Sequence, residues 1–461
     1  MSKLDPTDIQ GFVLRGYTFP VARYLFLQIV PAGGKEFVRE LIGLITTGER
    51  WDDGKPRTTV NISFAYRGLL KLDLPEPSLQ SFPVEFVQGM KARGRILCDT
   101  GRSGPEHWEP CWRDELVDAW IGVYAESGPE LDQKCAELQS LMTATNGAVV
   151  ISSQDAGALV INDKITTKEH FGYTDGFGNP DYLGVVRDTQ PGQGKLMSDG
   201  SWAPLATGEL LLGYADEAGE LPVAPIPHLL ANNSTFMVYR KIHQNVATFR
   251  KYLDEKARLY PGGKEKLASK FVGRYRDGTP IEVSPDKPDP DIVHDKKRSV
   301  NFKFGDDVGG TRCPVGAHVR RTNPRDAFGF GGKLVNRRRI TRRGLPYGPY
   351  TPEDETGSDS SEHGIIFIVM NASIFRQFEF VQQQWVEYGN DARQGNDKDM
   401  LMGNHGGAGK YMIQGTATDP LNPPFICACL PNFVELRGGD YFWVPSITAL
   451  RMIAENSVDP R

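Results

Sequence analysis

The chain has 461 residues, 39% of them apolar and 24% charged, which excludes collagen-like and disordered chains and is ample for a sizeable core. Fifty-three basic against 58 acidic residues leave a net charge of −5, which argues against a general nucleic-acid or membrane-surface binder while leaving room for a local basic patch. Six cysteines are too sparse for a disulfide scaffold. Cys427 and Cys429 form a CxC, not the CxxC pairs of structural zinc sites, and the six read as buried reduced thiols.

In chain order, Met1-Ser2-Lys3-Leu4-Asp5-Pro6 lacks the basic-then-apolar pattern of a secretory signal. No apolar run approaches the ~18 residues of a membrane span, so the expected location is cytoplasmic. Residues 24–29 suit a buried strand, 35–46 have helical apolar spacing and 58–64 alternate as a strand. Strand 119–124, helix 131–142 and strand 148–152 follow. The order then repeats with strand 234–239, helix 245–256, strand 364–370 and helix 375–388. This predicts two α+β halves, each an antiparallel sheet backed by helices, alike in element order and not in residue identity. The Gly/Pro-rich stretch Gly192 to Gly208 marks the boundary, giving halves 1–205 and 206–461. Segments 284–297, with three prolines, and 353–362, acidic and serine-rich, read as surface loops.

The densest chemical signal lies between Arg312 and Arg343, where ten residues are Lys or Arg and only Asp326 is acidic. A solvated face and an anion-binding patch are both open readings. Nucleic acid would call for interleaved aromatic stacking platforms, which this stretch lacks. A compact anionic cofactor, such as the paired propionates of haem, fits the charge. His318 lies inside this run, in Cys313-Pro314-Val315-Gly316-Ala317-His318-Val319-Arg320. A lone histidine is more often structural than a ligand, and the other seven show no HxxxH or HExxH spacing for zinc. A single imidazole is, however, what haem iron takes on its proximal side. The segment Phe171-Gly172-Tyr173-Thr174-Asp175-Gly176 reads plainly as a Gly-rich turn with Asp175 bonding its own backbone. Gly273 to Gly278 has a similar look, so neither short pattern is decisive alone.

Taken jointly, Gly172-x-x-Asp175-Gly176, the His318 segment continuing to Asn323-Pro324-Arg325, and Arg342-Arg343-Gly344-Leu345-Pro346-Tyr347-Gly348 resemble the dye-decolourising (DyP-type) haem peroxidases. Further matches are Asp8-Ile9-Gln10-Gly11, Gly273-Arg274 and the run from Phe378 to Trp385, in order from residue 8 to about 403. The length and N-terminus resemble the longer intracellular bacterial branch. The resemblance implies an α+β fold of two ferredoxin-like halves packed as a dimeric α+β barrel, with haem b in the second half. It makes His318 the proximal iron ligand, Asp399 the acceptor of its imidazole N–H, and Asp175 a distal residue with Arg342 beside it. Arg325 would pair a haem propionate, His170 would lie near the propionate edge, and Ile365 and Phe367 would wall the distal pocket. Trp385 reads as core. Phe177-Gly178-Asn179-Pro180 departs from the family's more usual Ile-Ser-Gln-Pro. The implied activity is oxidation of dyes, phenols and other one-electron donors by hydrogen peroxide through an oxoferryl haem; manganese(II) (Mn2+) stays an open donor, since no spacing of acidic residues singles out a site for it. A non-catalytic haem carrier on the same fold is the alternative. Neither nucleic acid nor a membrane is an expected partner, and the oligomeric state stays open, a homo-oligomer included.

Overall fold

Strand β1 (Val21–Ile29) is dense in aromatic and branched residues and forms the centre of the first half. The computed structural model describes residues 4–52, 54–352, 355–415 and 423–460. Met1 to Lys3 of the N-terminus considered above, and Glu353 and Asp354 of the acidic loop, lie outside these ranges. After β1 come α1 (Gly34–Leu41), β2 (Thr58–Phe64), β3 (Ala119–Ala125), α2 (Gly128–Thr145) and β4 (Ala148–Gly157). All pairings are antiparallel, in the order β4-β1-β3-β2. The second half comprises β5 (Thr235–Gln244), α3 (Val246–Ala257), β6 (Thr341–Arg342), β7 (Leu345–Tyr347), β8 (Gly364–Asn371), a helical stretch over 374–386 and β9 (Val434–Val444). Its order is β9-β5-β8-β6, with β7 also paired to β8. In both halves, therefore, the first strand lies between the fourth and the third, and the second is outermost beside the third. This is the ferredoxin-like arrangement, used twice. The halves join where Trp443 of β9 registers with Phe64 of β2, and at the opposite end β7 packs against β4.

Side-chain pattern explains the layers. Helix α1 buries Phe37, Val38 and Leu41 against the sheet, spaced three and four apart. Strand β3 is buried along its whole length. Its Gly122 is required because the Trp120 ring folds over it; a Cβ there would lie 2.2 Å from that ring. Between the halves, Tyr239 of β5 packs on Phe26 and Trp112 with ring centroids 5.4 and 5.0 Å away. The next residue, Arg240, makes a two-pronged ion pair with Asp99 from the first half, at 3.0 and 2.5 Å, and both side chains are buried.

Several expectations change in detail. Segment 374–386 is π-helical, closed by bonds such as Glu387 N–H to Gln382 C=O at 3.0 Å. The segment 284–297 is not a bare loop. Asp289 caps the helix Pro290–His294 and Asp295 caps Lys296–Val300, and Ile292 and Val300 are buried. The stretch 192–208 is not an open linker either; it holds a small hairpin (Lys195–Leu196 with Trp202–Ala203), and Leu205 is fully buried. All six cysteines are free, but only Cys111, Cys313 and Cys427 are buried; Cys429 is exposed. Among the described residues no helix is long and apolar enough to cross a membrane.

The Arg240–Asp99 pair gives a direct test of how the halves are held. Arg240→Met leaves the Asp99 carboxylate buried without its cation and is expected to cost about 3–5 kcal/mol in denaturant unfolding, while Arg240→Met combined with Asp99→Leu recovers most of the loss. A single-variant loss below about 1 kcal/mol would show the pair to be solvated in solution.

Candidate active site

The proximal side is built around one carboxylate. Asp307 gathers the N–H groups of Thr311 and Cys313 (2.8 and 3.0 Å) and receives Arg320 Nη1 at 3.1 Å, which closes the loop before α4 (His318–Thr322). Arg320 also returns to the Cys313 carbonyl at 2.6 Å. His318 is the first residue of α4, and its ring projects where Asp399 meets it: Nδ1 lies 3.1 and 3.0 Å from the two Asp399 oxygens. Asp399 is itself fully buried and accepts the N–H groups of Leu401 and Met402 at 3.0 and 2.8 Å. Burial works against charge on both partners, yet their mutual attraction outweighs it, holding His318 above and Asp399 below their ordinary pKa values. With Nδ1 occupied, Nε2 is the nitrogen left for a ligand.

The distal loop folds on Glu169, whose carboxylate accepts the N–H groups of Phe171 and Tyr173, both at 2.9 Å. Gly172 (φ 94°) and Gly176 (φ 93°) take left-handed conformations on either side of Asp175, which a side chain would strain. Asp175 Oδ1 accepts the Gly176 N–H at 2.6 Å, as the turn reading anticipates, and also Arg342 Nη1 at 2.9 Å. Arg342 Nη2 donates to the Phe177 carbonyl at 2.7 Å. Partial loss of solvation pushes the Asp175 carboxyl up, but Arg342, the Gly176 N–H and His318 together hold it below the ordinary range. Side-chain exposures of 51% for Asp175, 35% for Arg342 and 28% for His318 set these three apart from the buried residues around them. Arg342 and Asp175 both act electrostatically on His318, Asp175 favouring and Arg342 opposing its charged form. Ile365 and Phe367 are half-buried and alternate along β8 with the fully buried Ile366 and Ile368, so they share one face of the strand, where Phe367 also packs against the core beside Phe378. The similar-looking segment 273–278 sits against the distal loop: Thr174 N–H donates to the Arg276 carbonyl at 3.0 Å, and Arg274 lies over the Phe177 ring.

Four of the ten basic residues in the run pair with carboxylates and most of the others bond carbonyls. Arg312 pairs with Glu282, Arg320 with Asp307, Arg337 with Asp216 and Arg342 with Asp175. Arg321 is held by the carbonyls of Trp385, Tyr388 and Asp397, and Arg343 by those of Phe12 and Val13. Most of this run is thus unavailable to nucleic acid. Arg325 and Arg339, with Arg274, are buried among carbonyls and rings, and no carboxylate forms a salt bridge with any of them among the described residues. Burial pushes Arg274 down to about 10 and Arg325 well below its usual range, Arg339 and Arg274 adding like-charge repulsion on Arg325. Three desolvated cations lacking an anion, together with an imidazole whose Nε2 is free, fit haem with its two propionates. Sequence reading assigned no role to Arg339, counted only as part of the basic run, or to Arg274, noted only within the matching Gly273-Arg274 pair.

His170 is buried, its Nε2 2.9 Å from the Tyr347 carbonyl and its ring centroid 5.1 Å from that of His363, the planes tilted by 35°. Trp385 is buried between Phe328 and Phe380, as expected of core. Since His363 is fully buried between His170 and His243, it has no face for a ligand. His318→Ala is therefore expected to abolish stable haem retention, and His363→Ala to keep it, as read from the haem-to-protein absorbance ratio after gel filtration. Full haem occupancy in His318→Ala would transfer the ligand role elsewhere.

No protein-family model matches the chain. A curated dye-decolorizing peroxidase (msp1) of Mycetinis scorodonius is 30% identical over 98% of this chain and 88% of its own length. A solved ancestral D-type dye decolorizing peroxidase superposes with a TM-score of 0.84 at 30% identity, covering 98% of this chain and 99% of that one. A dye-decolorizing peroxidase solved with 2,6-dimethoxyphenol gives 0.82 at 26% identity, covering 98% and 100%. Most of the curated relatives are fungal, which runs against the bacterial branch suggested by length. With the fold shared from end to end and the relatives agreeing in activity, the chain belongs to the dye-decolourising haem peroxidases.

Proposed function

We propose that this peroxidase reduces hydrogen peroxide at a haem b held by His318, with Asp175 and Arg342 as its catalytic residues. The observation that carries the reading is the Asp175–Arg342 contact at 2.9 Å, placed in electrostatic reach of a histidine whose other nitrogen is bound by a carboxylate. The sequence has no CxxCH to tether haem covalently, which favours the b type. Haem, when bound, supplies the iron at which the peroxide O–O bond is cleaved and the oxidising equivalents are stored. The protein's part is proton movement, charge stabilisation and orientation. Asp175, its carboxyl held below the ordinary range by Arg342, the Gly176 N–H and His318, takes the proton from the inner peroxide oxygen and returns it to the outer one. The Arg342 guanidinium stabilises the negative charge that develops on the departing oxygen. Asp399 fixes the His318 tautomer, so that Nε2 carries the lone pair.

Arg325, Arg339 and Arg274 take the propionates, and His170 lines that edge. His170 is pushed down to about 4, by burial first and then by His363 and His243, so it stays neutral where the enzyme works. Ile365 and Phe367 wall the distal side. Residues 1–205 supply the distal loop and 206–461 the haem ligand. Reducing substrates are one-electron donors of the dye and phenol class, in keeping with the phenol complex of the relative. Among the described residues no group of three or more His, Cys, Asp or Glu side chains could hold a metal ion, and manganese is not part of the proposal.

Arg342→Leu should retain haem and react with peroxide 10²–10³-fold more slowly, a loss of about 3–4 kcal/mol of charge stabilisation. Arg343→Leu should instead show lower stability, because its guanidinium pins the Phe12 and Val13 carbonyls. A larger kinetic loss at Arg343 would reverse the two roles. For pH the sign follows from the depressed Asp175 pKa: its carboxylate stays charged until the pH drops below the ordinary value of about 3.9. The stopped-flow rate with peroxide should hold through pH ~4–5 and fall below that, and Asp175→Asn should lose this limb. One ionisation near pH ~6.5 in the wild type, with Asp175→Asn matching it throughout, would remove Asp175 from the proton path.

A further inference from the structure

Strand β6 is two residues long and lies at the open end of the second half, paired only with β8, where Arg342 registers with Val369. Peptide groups alternate along a strand. Arg343 N–H turns inward to the Ile368 carbonyl at 2.8 Å, so the N–H and C=O of Arg342 point off the unpaired edge. A single side chain meets both, although the carbonyl also receives Arg343 Nη1 at 3.0 Å. Asn179 Oδ1 accepts the Arg342 N–H at 3.0 Å, and Asn179 Nδ2 donates to the Arg342 carbonyl at 3.3 Å. A carboxamide offers one acceptor and one donor side by side, so it reproduces what a neighbouring strand would present. Asn179 is also one of the residues at which the chain departs from the pattern it otherwise resembles.

The consequence concerns the guanidinium. An arginine head group sits at the end of a long rotatable stem, and fixing it requires both ends to be held. Loop 175–179 does so: Asp175 and the Phe177 carbonyl take the two Nη atoms, and Asn179 takes the peptide. The N–H and head group of Arg342 are thereby referred to the same five residues, while its carbonyl is shared between Asn179 and Arg343. We propose that Asn179 is a positioning residue for the peroxide reaction, setting where the Arg342 guanidinium stands relative to the Asp175 carboxylate without touching substrate itself. The inference rests on the roles assigned above to Arg342 and Asp175.

The test uses the haem-loaded protein and the variants Asn179→Ala and Asn179→Gln, with Arg342→Leu alongside. Three readouts are taken: the stopped-flow rate with hydrogen peroxide, the pH of its acid limb, and hydrogen–deuterium exchange at the Arg342 amide. The charged groups acting on Asp175 are Arg342, His318, Arg274 and Glu169, and of these only Arg342 is touched by Asn179. In Asn179→Ala the rate should fall roughly tenfold to a hundredfold, since small displacements of a positioned group carry penalties of that order. The acid limb should move up toward the ordinary carboxylate value, and the Arg342 amide should exchange faster. Asn179→Gln, which keeps the carboxamide, should recover the limb at least in part. A merely structural Asn179 would lower the melting temperature and leave rate, limb and exchange in place, which overturns the proposal. If Arg342→Leu is slow while Asn179→Ala matches wild type in all three readouts, Asn179 alone is wrong. If Arg342→Leu matches wild type, the role of Arg342 is wrong and this inference falls with it. Should Asn179→Ala not fold, Asn179→Ser is read by the same three criteria.

Discussion

A guanidinium taken out of water must find an anion or a set of carbonyls, and the centre of this protein is organised by that requirement. Arg342 takes its acid, Asp175, from the first half and Arg337 takes Asp216 from the start of the second, while Arg343 reaches Phe12 and Val13 near the start of the first. Each such contact closes a loop of more than a hundred residues. The same rule explains why Arg325, Arg339 and Arg274 are informative: among the described buried cations that form no salt bridge, Lys270 and Arg321 have two and three carbonyl acceptors instead, whereas Arg325 and Arg274 have one each and Arg339 has two long ones at 3.3 and 3.5 Å.

Much of the fold was legible because its periodicity is local. Strands 58–64 and 119–125 and the two halves' repeated order follow from alternation and helical spacing that survive folding. Strand β9 escaped notice because Gly438 and Gly439 interrupt it, and in the structure its register shifts there as a bulge. Strands β6 and β7 are two and three residues long, too short for any period to emerge. Helix 374–386 was foreseen as an element, but the wider π turn depends on tertiary packing and has no sequence signature.

The candidate site divides along a similar line. His318, Asp175, Arg342 and Asp399 were recognisable through motifs in order, and the structure brings them together in two pairs. Residues whose work is done through backbone groups far away left no such trace. Asn179 sits 163 residues before the peptide it holds, and Arg339 reaches the Gly178 and Gly194 carbonyls across comparable spans. A carbonyl acceptor has no identity in the sequence, so bonds of this kind become visible only when the chain has folded.

The matching strand order of the two halves has an evolutionary and engineering consequence. A sheet of this order presents its second strand at one edge and its fourth at the other, and the two halves meet by those opposite edges: β2 with β9 by register, β7 beside β4 by packing. Two identical copies of such a half would close the same ring about a two-fold axis and would necessarily own two equivalent crevices. Fusing the copies into one chain lifts that obligation. One crevice can then take its acid from the leading copy and its arginine and imidazole from the trailing one, an asymmetric triad that no symmetric pair of short chains could encode once without encoding it twice.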